Sequence, residues 1–361
     1  MSRALLSAAL AVALLVAGCG GSNDAESGDE AFASTLAAIE GLEGKARTDK
    51  LRELAAAQGS RLDVYSSMGA GTLDAMVGAF GDLYDVDVAV YRADGDTILA
   101  RLSEEVRAGY RGVDVVQING LAMTTLHDEG LLRTYRSPAE RNLIPGAVYD
   151  GWTAHNASQF AVTWNTKLLP PSERPRSWED LADPRWKGQL GLEASDLDWY
   201  KTLRDYWIEE HGKSAAEADR LFDAIGRNAI VVHGHTVTGQ LHAAGEFEVA
   251  VNYASTVDRL AGEGAPLAWQ PPVEPLIAQP QGMAPMGAAR HPAAALLFVD
   301  WVLGEGQEIL AEDQRDPVRK DLVVARSAKR IVIDFDSIAA EQERWTDAYE
   351  RILGLGTEAP D

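Results

Sequence analysis

Leu62-Asp63-Val64-Tyr65-Ser66-Ser67-Met68-Gly69-Ala70-Gly71 is the stretch that decides the fold. Its first four residues read as a strand, its serines and glycines as a turn, and Thr72 to Tyr84 as the helix that follows. Val86 to Tyr91 reads as the next strand. Asp96 then precedes Ile98, Leu99, Leu102 and Val106, which predicts an amphipathic helix with Asp96 as its cap. Val113-Asp114-Val115-Val116 follows as a short buried strand. Strands alternating with helices in this way predict a parallel sheet, and hence an α/β fold.

A second unit of the same kind occupies the middle of the chain. Gln189 to Leu192 reads as a strand and Trp199 to Ile208 as a helix, and Ser214 with Glu217 has the spacing of a capping box for a helix through Ile225. Ala229 to Val232 is the next strand, Val237 to Ala244 a helix closed by Gly245, and Phe247 to Tyr253 another strand. The tail adds helices over Pro292 to Leu303, Gly306 to Ala311 and Ser337 to Leu353. No short internal repeat is visible.

Outside these units the amino-terminal residues carry a different message. Arg3, an apolar run from Ala4 to Ala17 and then Val16-Ala17-Gly18-Cys19 read as an export signal, too short for a comfortable membrane span. Small residues before the only cysteine resemble a bacterial lipobox, which implies cleavage after residue 18 and lipid attachment at Cys19. Residues 19–30 are small and polar and read as a flexible tether. Residues 31–59 carry Phe32, Leu36, Ile39, Leu42, Leu51 and Leu54 near helical spacing and read as a helical extension of one or two helices. With 361 residues, 46% hydrophobic and 24% charged, the chain suits two packed lobes and excludes a disordered polymer. A net charge of −22 disfavours nucleic acid as a partner.

In parallel α/β sheets, ligands collect beyond the carboxyl ends of strands, where helix amino ends present free N–H groups. Three segments qualify. Ser66 and Ser67 lie in the first strand-to-helix turn, and Asn119 in Gln117-Ile118-Asn119-Gly120 after the third strand. His233-Gly234-His235-Thr236 joins a later strand to its helix and reads either as a hydrogen-bonding cap or as part of a metal site. Trp164, Trp199, Tyr200 and Tyr253 fall near predicted strand ends, where rings either stack on a ligand or fill the core. No G-x-S-x-G, H-E-x-x-H, G-x-x-x-x-G-K or G-x-G-x-x-G motif is present.

Pro175-Arg176-Ser177-Trp178-Glu179-Asp180-Leu181 with Asp183-Pro184-Arg185-Trp186-Lys187-Gly188 is the most specific stretch. It is similar to the P-x-S-W-x-D-L and D-P-x-W-K-G of the extracellular solute-binding proteins of ABC importers, in the type II two-lobe group that includes ferric-ion binders. Asp114-Val115-Val116, Trp164-Asn165-Thr166-Lys167 and His291-Pro292-Ala293 support the resemblance, which covers roughly Leu62 to Leu322.

The resemblance implies two lobes, each a mostly parallel sheet flanked by helices. Residues 60–160 with 256–361 would form the first lobe and 161–255 the second, hinged by crossovers near Ala161 to Asn165 and Val251 to Ser255. It implies a monomer outside the cytoplasm, passing a small solute to an ABC importer permease, with no cofactor and no catalysis, while the lipobox-like signal implies that it is held to the membrane through Cys19. Of the ferric binders' ligand set only Tyr253 matches, with Asn119 where they have glutamate and Gly69 near their histidine. The family's anion-holding positions fall at Ser195 and at His235-Thr236, so the leading expectation is an anionic organic solute. Ferric iron or a ferric complex held in part by Tyr253 is the alternative, and an exported enzyme using His235 or Asp198 as an acid–base group is a third.

Overall fold

The computed structural model describes residues 23–110, 112–323 and 328–355 of the chain. Cys19 and the leader before it lie outside the described residues. Two helices come first, α1 (Asn23–Ala38) and α2 (Gly44–Ala57). The helix therefore starts inside the stretch expected to be a tether. Next come β1 (Arg61–Ser66), α3 (Ala70–Tyr84), β2 (Asp87–Arg92), α4 (Gly95–Arg107), β3 (Val115–Asn119) and α5 (Gly120–Asp128). The cap of α4 is Asp94, whose side chain accepts from Thr97 N; Asp96, expected in that role, lies in the first turn. β1 pairs in parallel with both β2 and β3, as the alternation predicts.

The chain then crosses along β4 (Thr153–Asn165) and builds β5 (Leu190–Glu193), α6 (Leu197–Glu209), α7 (Ala215–Asn228), β6 (Ala229–Val232), α8 (His235–Ala244), β7 (Val249–Tyr253) and α9 (Ala254–Gly262). The capping box at Ser214 and Glu217 is formed, and Gly245 closes α8 in the left-handed conformation. β5 is parallel to β6 and β7. After the short β8 (Leu267–Ala268), the chain returns along β9 (Leu276–Pro285) and ends with α10 (Pro292–Leu303), α11 (Gln307–Glu312), β10 (Arg330–Val332), α12 (Phe335–Ala339) and α13 (Gln342–Leu353).

The strand order is β2-β1-β3-β9-β4-β7-β5-β6, with β10 on β9 and β8 on β4. β4 serves both halves, pairing with β9 over Thr153–Phe160 and with β7 over Phe160–Trp164. The second crossover is thus β9, and Val251 to Ser255, expected in that role, ends β7 and begins α9. β9 carries Pro280 and Pro285, which lack the N–H of a ladder and disguise a strand in sequence. The single tail helix expected over Ser337 to Leu353 is divided into α12 and α13.

The amino-terminal extension belongs to the first half. α10 is buried on nearly every side because α2 covers the face it turns from the sheet. Phe32, Ile39 and Leu51 are buried, each worth about 2 kcal/mol of transfer free energy. Arg47 Nε donates to Asp300 Oδ2 at 2.8 Å, and Tyr135 Oη donates to Asp300 Oδ1 at 2.6 Å, tying α2 to α10 through a half-buried network. The motif around Trp178 is structural as well. Trp178 Nε1 donates to Pro275 O at 2.9 Å, and Asn228 Nδ2 donates to Leu181 O and Asp183 O, each at 2.9 Å.

Candidate functional site

The carboxyl ends of β1, β3, β5 and β7 and the middle of the β4–β9 ribbon converge on one polar cluster. β5 ends in Glu193, which is buried and saturated: Oε2 accepts Ser195 N and Ser195 Oγ, each at 2.7 Å, and Oε1 accepts Gly234 N at 2.9 Å. Ser195, an expected ligand residue, therefore has its hydroxyl proton committed to the protein. Beside it, His235 Nε2 meets Asp196 Oδ1 at 3.0 Å, while His235 Nδ1 is buried without a partner. The imidazole lies 3.7 Å from the ring of Tyr253, with Phe160 at its edge.

A chain of amides and acids continues toward the first half. Tyr253 Oη donates to Gln279 Oε1 at 2.5 Å, Gln281 Nε2 donates to the same oxygen at 2.6 Å, and Gln279 Nε2 donates to Asp198 Oδ2 at 2.5 Å. Gln281 pairs with Asn119, whose side chain caps α5 through Ala122 N at 2.9 Å. Across the gap, Asp96 comes close enough to Glu193 and Ser195 to feel both.

Electrostatics follow from burial. Burial pushes the Asp198 carboxyl up to about 6 and outweighs its hydrogen bonds from Gln279 and Trp199 N. Asp96 is raised by burial and by Asp94 and Glu193. Burial opposes a charged His235, but Asp196 beside it prevails and holds its pKa above the ordinary histidine value. Burial and the neighbouring Asp196 and Asp198 drive the Tyr253 hydroxyl well above its usual range.

The first half contributes the turn after β1. Ser66 is fully buried and its Oγ accepts Met68 N at 3.2 Å, so it fixes the turn, whereas Ser67 is half-exposed. Gly69 opens α3 with no side-chain cap, and the Arg315 guanidinium lies against it while donating to Thr72 Oγ1 and Asp313 at 3.2 Å. A Cβ at position 69 would collide with that guanidinium. α8 and α9, with Gly234 and Tyr253 at their N-caps, also lack side-chain caps, as do α2, α6, α10, α11 and α13, whereas α4, α5, α7 and α12 have them.

Of the expected residues, Ser195, His235 and Tyr253 come together, with Ser67 and Asn119 on the facing turns; Thr236 is exposed at the rim. Trp164, Trp199 and Tyr200 are buried in the core of the second half, and the indole N–H groups of Trp164 and Trp199 lack a hydrogen-bond partner. Trp199 packs on Trp178 and Phe222, Tyr200 on Phe222 and Tyr349, and Trp164 lies under Arg174. Asp96, Glu193, Asp196, Gln279, Gln281 and Arg315 were not among the expected ligand residues. The alternation Gln279-Pro280-Gln281 was a legible signal, since residues two apart on a strand share a face.

Among the described residues, two groups have the proximity of metal ligands: Asp63, Asp114 and His291, and Glu193, Asp196 and His235. Tyr253, expected as an iron ligand, donates its hydroxyl proton to Gln279 Oε1, and burial raises its pKa, so a ferric ion at this site would have to displace that proton.

Comparisons agree with this architecture. An uncharacterized protein of Haemophilus influenzae is 25% identical over 267 residues, 69% of this chain and 75% of that protein. The periplasmic binding protein AfuA of Actinobacillus pleuropneumoniae, solved with exogenous fructose-6-phosphate bound, superposes with a TM-score of 0.72 at 22% identity, covering 82% of this chain and 99% of that one. Iron-bound HitA of Pseudomonas aeruginosa gives 0.67 at 18% identity, covering 81% and 99%. The fold is thus the two-lobe periplasmic-binding-protein fold. Among the described residues no helix is long and apolar enough to cross a membrane. The family described as bacterial extracellular solute-binding protein matches residues 62–313, and this chain belongs to that family.

Proposed function

We infer that this solute-binding protein of an ABC-type importer captures a small anionic organic solute bearing hydroxyl groups, in the cleft between its lobes. The second lobe runs from about residue 161 to the turn before β9, and Cys19 carries a lipid that holds the receptor at the outer face of the membrane. The observation that carries this reading is the division of labour around the cleft. The amino ends of α3, α8 and α9 begin without side-chain caps, leaving N–H groups and positive dipole ends for an anionic head. Asp196, Asp198, Gln279 and Gln281 supply acceptors and donors spaced for hydroxyls. Ligand contacts made to both lobes at once favour the closed state, which is how the solute shuts the clamshell. AfuA, solved with a sugar phosphate, offers a ligand of this two-part chemistry.

Isothermal titration of the mature chain with sugar phosphates, hydroxycarboxylates, neutral sugars and ferric citrate tests it, with small-angle scattering to follow closure. A hydroxylated anion should bind and compact the protein while its neutral parent binds at least tenfold more weakly. Equal affinity for the neutral sugar, or no binding and no compaction with any member, refutes the reading. Recovery of chemically altered ligand would point to an exported enzyme instead. A ferric complex is the second reading, favoured by the mutual proximity of Glu193, Asp196 and His235; preferential binding of ferric citrate over citrate would select it.

A further inference from the structure

The β4–β9 ribbon has two faces, and only one belongs to the cleft. In its ladder Ser158 pairs with Gln279 and Phe160 with Ile277, whereas Ala157 pairs with Pro280 and Gln159 with Ala278. Alternate residues of a strand project to opposite faces. Gln279 reaches Asp198 and Tyr253, so Ala157, Gln159, Ala278 and Pro280 face away from that cluster. On this second face lies a cavity of about 560 Å³, within the range of small-molecule sites.

Its walls are largely apolar, with Ile144, Val148, Tyr149, Val318 and Val332 among them. Val148 and Val332 are exposed at 41% and 59%, so the cavity opens to solvent past a hydrophobic rim. Two polar groups on its lining are unpaired. Gln159 is 2% exposed; its Nε2 donates to Ala157 O at 3.3 Å, and its Oε1 has no partner. Arg330 has Nε and Nη2 buried without a hydrogen-bond partner. Leaving such groups unmade costs about 1–3 kcal/mol each, more for a charge. Of the other polar groups in the lining, Asp258 accepts Trp269 Nε1 at 2.7 Å, Arg315 serves Thr72 and Asp313, Asp316 is partnered as well, and Gln314 is exposed.

The two open groups lie on strands two apart, offset by two residues along the ladder. Val332 pairs with Ala278, which pairs with Gln159, and Arg330 lies two residues before Val332 on the same side of its strand. With two strand spacings across and two residues along, their Cα atoms are roughly 12 Å apart. Arg330 asks for an anionic acceptor, and Gln159 Oε1 asks for a donor.

We propose that this cavity is a second ligand site, distinct from the solute cleft, for an amphipathic carboxylate that carries an N–H or O–H donor near its acid group, such as an N-acyl amino acid. The carboxylate meets Arg330, the donor meets Gln159, and the alkyl body lies along the apolar wall.

The test is isothermal titration of N-decanoylglycine into the whole mature protein, with decylamine as the charge-reversed control. Wild type should bind one equivalent saturably and ignore decylamine. Arg330→Gln and Gln159→Leu should each weaken binding at least tenfold, while Asp198→Asn, in the cleft, leaves it unchanged. Val332→Trp fills the cavity from an exposed position and should abolish binding even where Gln159→Leu fails to fold. No saturable binding, unchanged affinity in Arg330→Gln and Val332→Trp, or loss in Asp198→Asn each overturns the proposal.

Discussion

Asp63, Asp114 and His291 near the amino ends of β1 and β3, and Glu193, Asp196 and His235 at the carboxyl end of β5, are two triads of the same chemical kind. Each brings two carboxylates and an imidazole within 4.8 Å. In the first triad both Asp114 oxygens are taken. Asp114 accepts Asp63 N at 2.9 Å, Arg290 N at 2.7 Å, and both His291 N and His291 Nδ1 at 2.8 Å, while Asp63 is held by Arg61 at 2.8 and 3.0 Å. In the second, His235 Nδ1 is unpaired, and the one hydrogen bond of Asp196 is to His235. Proximity alone does not make a site; open valences do. The first triad staples the loop before α10 to the sheet, and the second is left for something from outside.

The largest expected effect tests the staple. Asp114→Ala removes an acceptor from four donors at once and should cost about 4 kcal/mol of stability, by analogy with breaking a buried ion pair. Asp196→Ala, at a similarly buried position, should cost less, about 1–2 kcal/mol, because it abandons one partner, His235, rather than four. Urea denaturation of both variants decides this, and equal losses would dissolve the distinction between the triads.

The converse experiment measures affinity. His235→Ala should weaken solute binding about 100-fold, the scale of a buried hot-spot contact, with a melting temperature close to wild type. His291→Ala should do the opposite, lowering stability while leaving affinity within about twofold. A His291→Ala variant that lost affinity at full stability would move the binding function to the other end of the strands.

How much of this contrast was legible in sequence differs for the two triads. The strand-to-helix turns at Ser66, Asn119 and His235 were readable because local turn chemistry and the rule of strand carboxyl ends both point there. Nothing local distinguished Asp114 from Asp198. One is spent on backbone N–H groups of residues 290 and 291, and the other on Gln279, partners that only the fold supplies. Trp199 and Tyr200 misled for a related reason. They stand at a strand end in sequence, but α6 turns both rings onto Phe222 in the core, where the Trp199 indole N–H is left without a hydrogen-bond partner. β9 was hidden by its prolines, and with it both glutamines of the cleft.

A pH series sharpens the contrast further, since the open site carries a strained acid. Asp198 has its pKa raised to about 6 from an ordinary 3.8, so the folded state holds its proton more tightly than the unfolded chain. Stability from this group is greatest below the unfolded pKa and is lost as pH rises from about 4 to about 6. Asp198→Asn lacks that slope. The stability of wild type relative to the variant should fall by about 2 kcal/mol over this interval, a difference in which shared groups such as His155 and His242 cancel. A flat difference would mean that Asp198 is ionised throughout and better solvated than its burial indicates.

The smallest effect concerns Tyr253, where the two ligand chemistries part. Its hydroxyl donates to Gln279 Oε1, and burial beside Asp196 and Asp198 opposes its ionisation, so it is a neutral hydrogen-bond donor at neutral pH. Removing one neutral hydrogen bond costs about 1 kcal/mol. Tyr253→Phe should therefore weaken a hydroxylated anion by about fivefold to tenfold, through loosened orientation of Gln279 and Asp198 rather than through a lost contact to the solute. Titration of wild type with ferric citrate should then show no phenolate-to-iron band in the visible range, because metal binding would have to displace a proton that the surrounding acids hold in place. A band that appears in wild type and vanishes in Tyr253→Phe would show that iron does pull this proton off. The cleft would then owe its open valences to a cation rather than to hydroxyl groups.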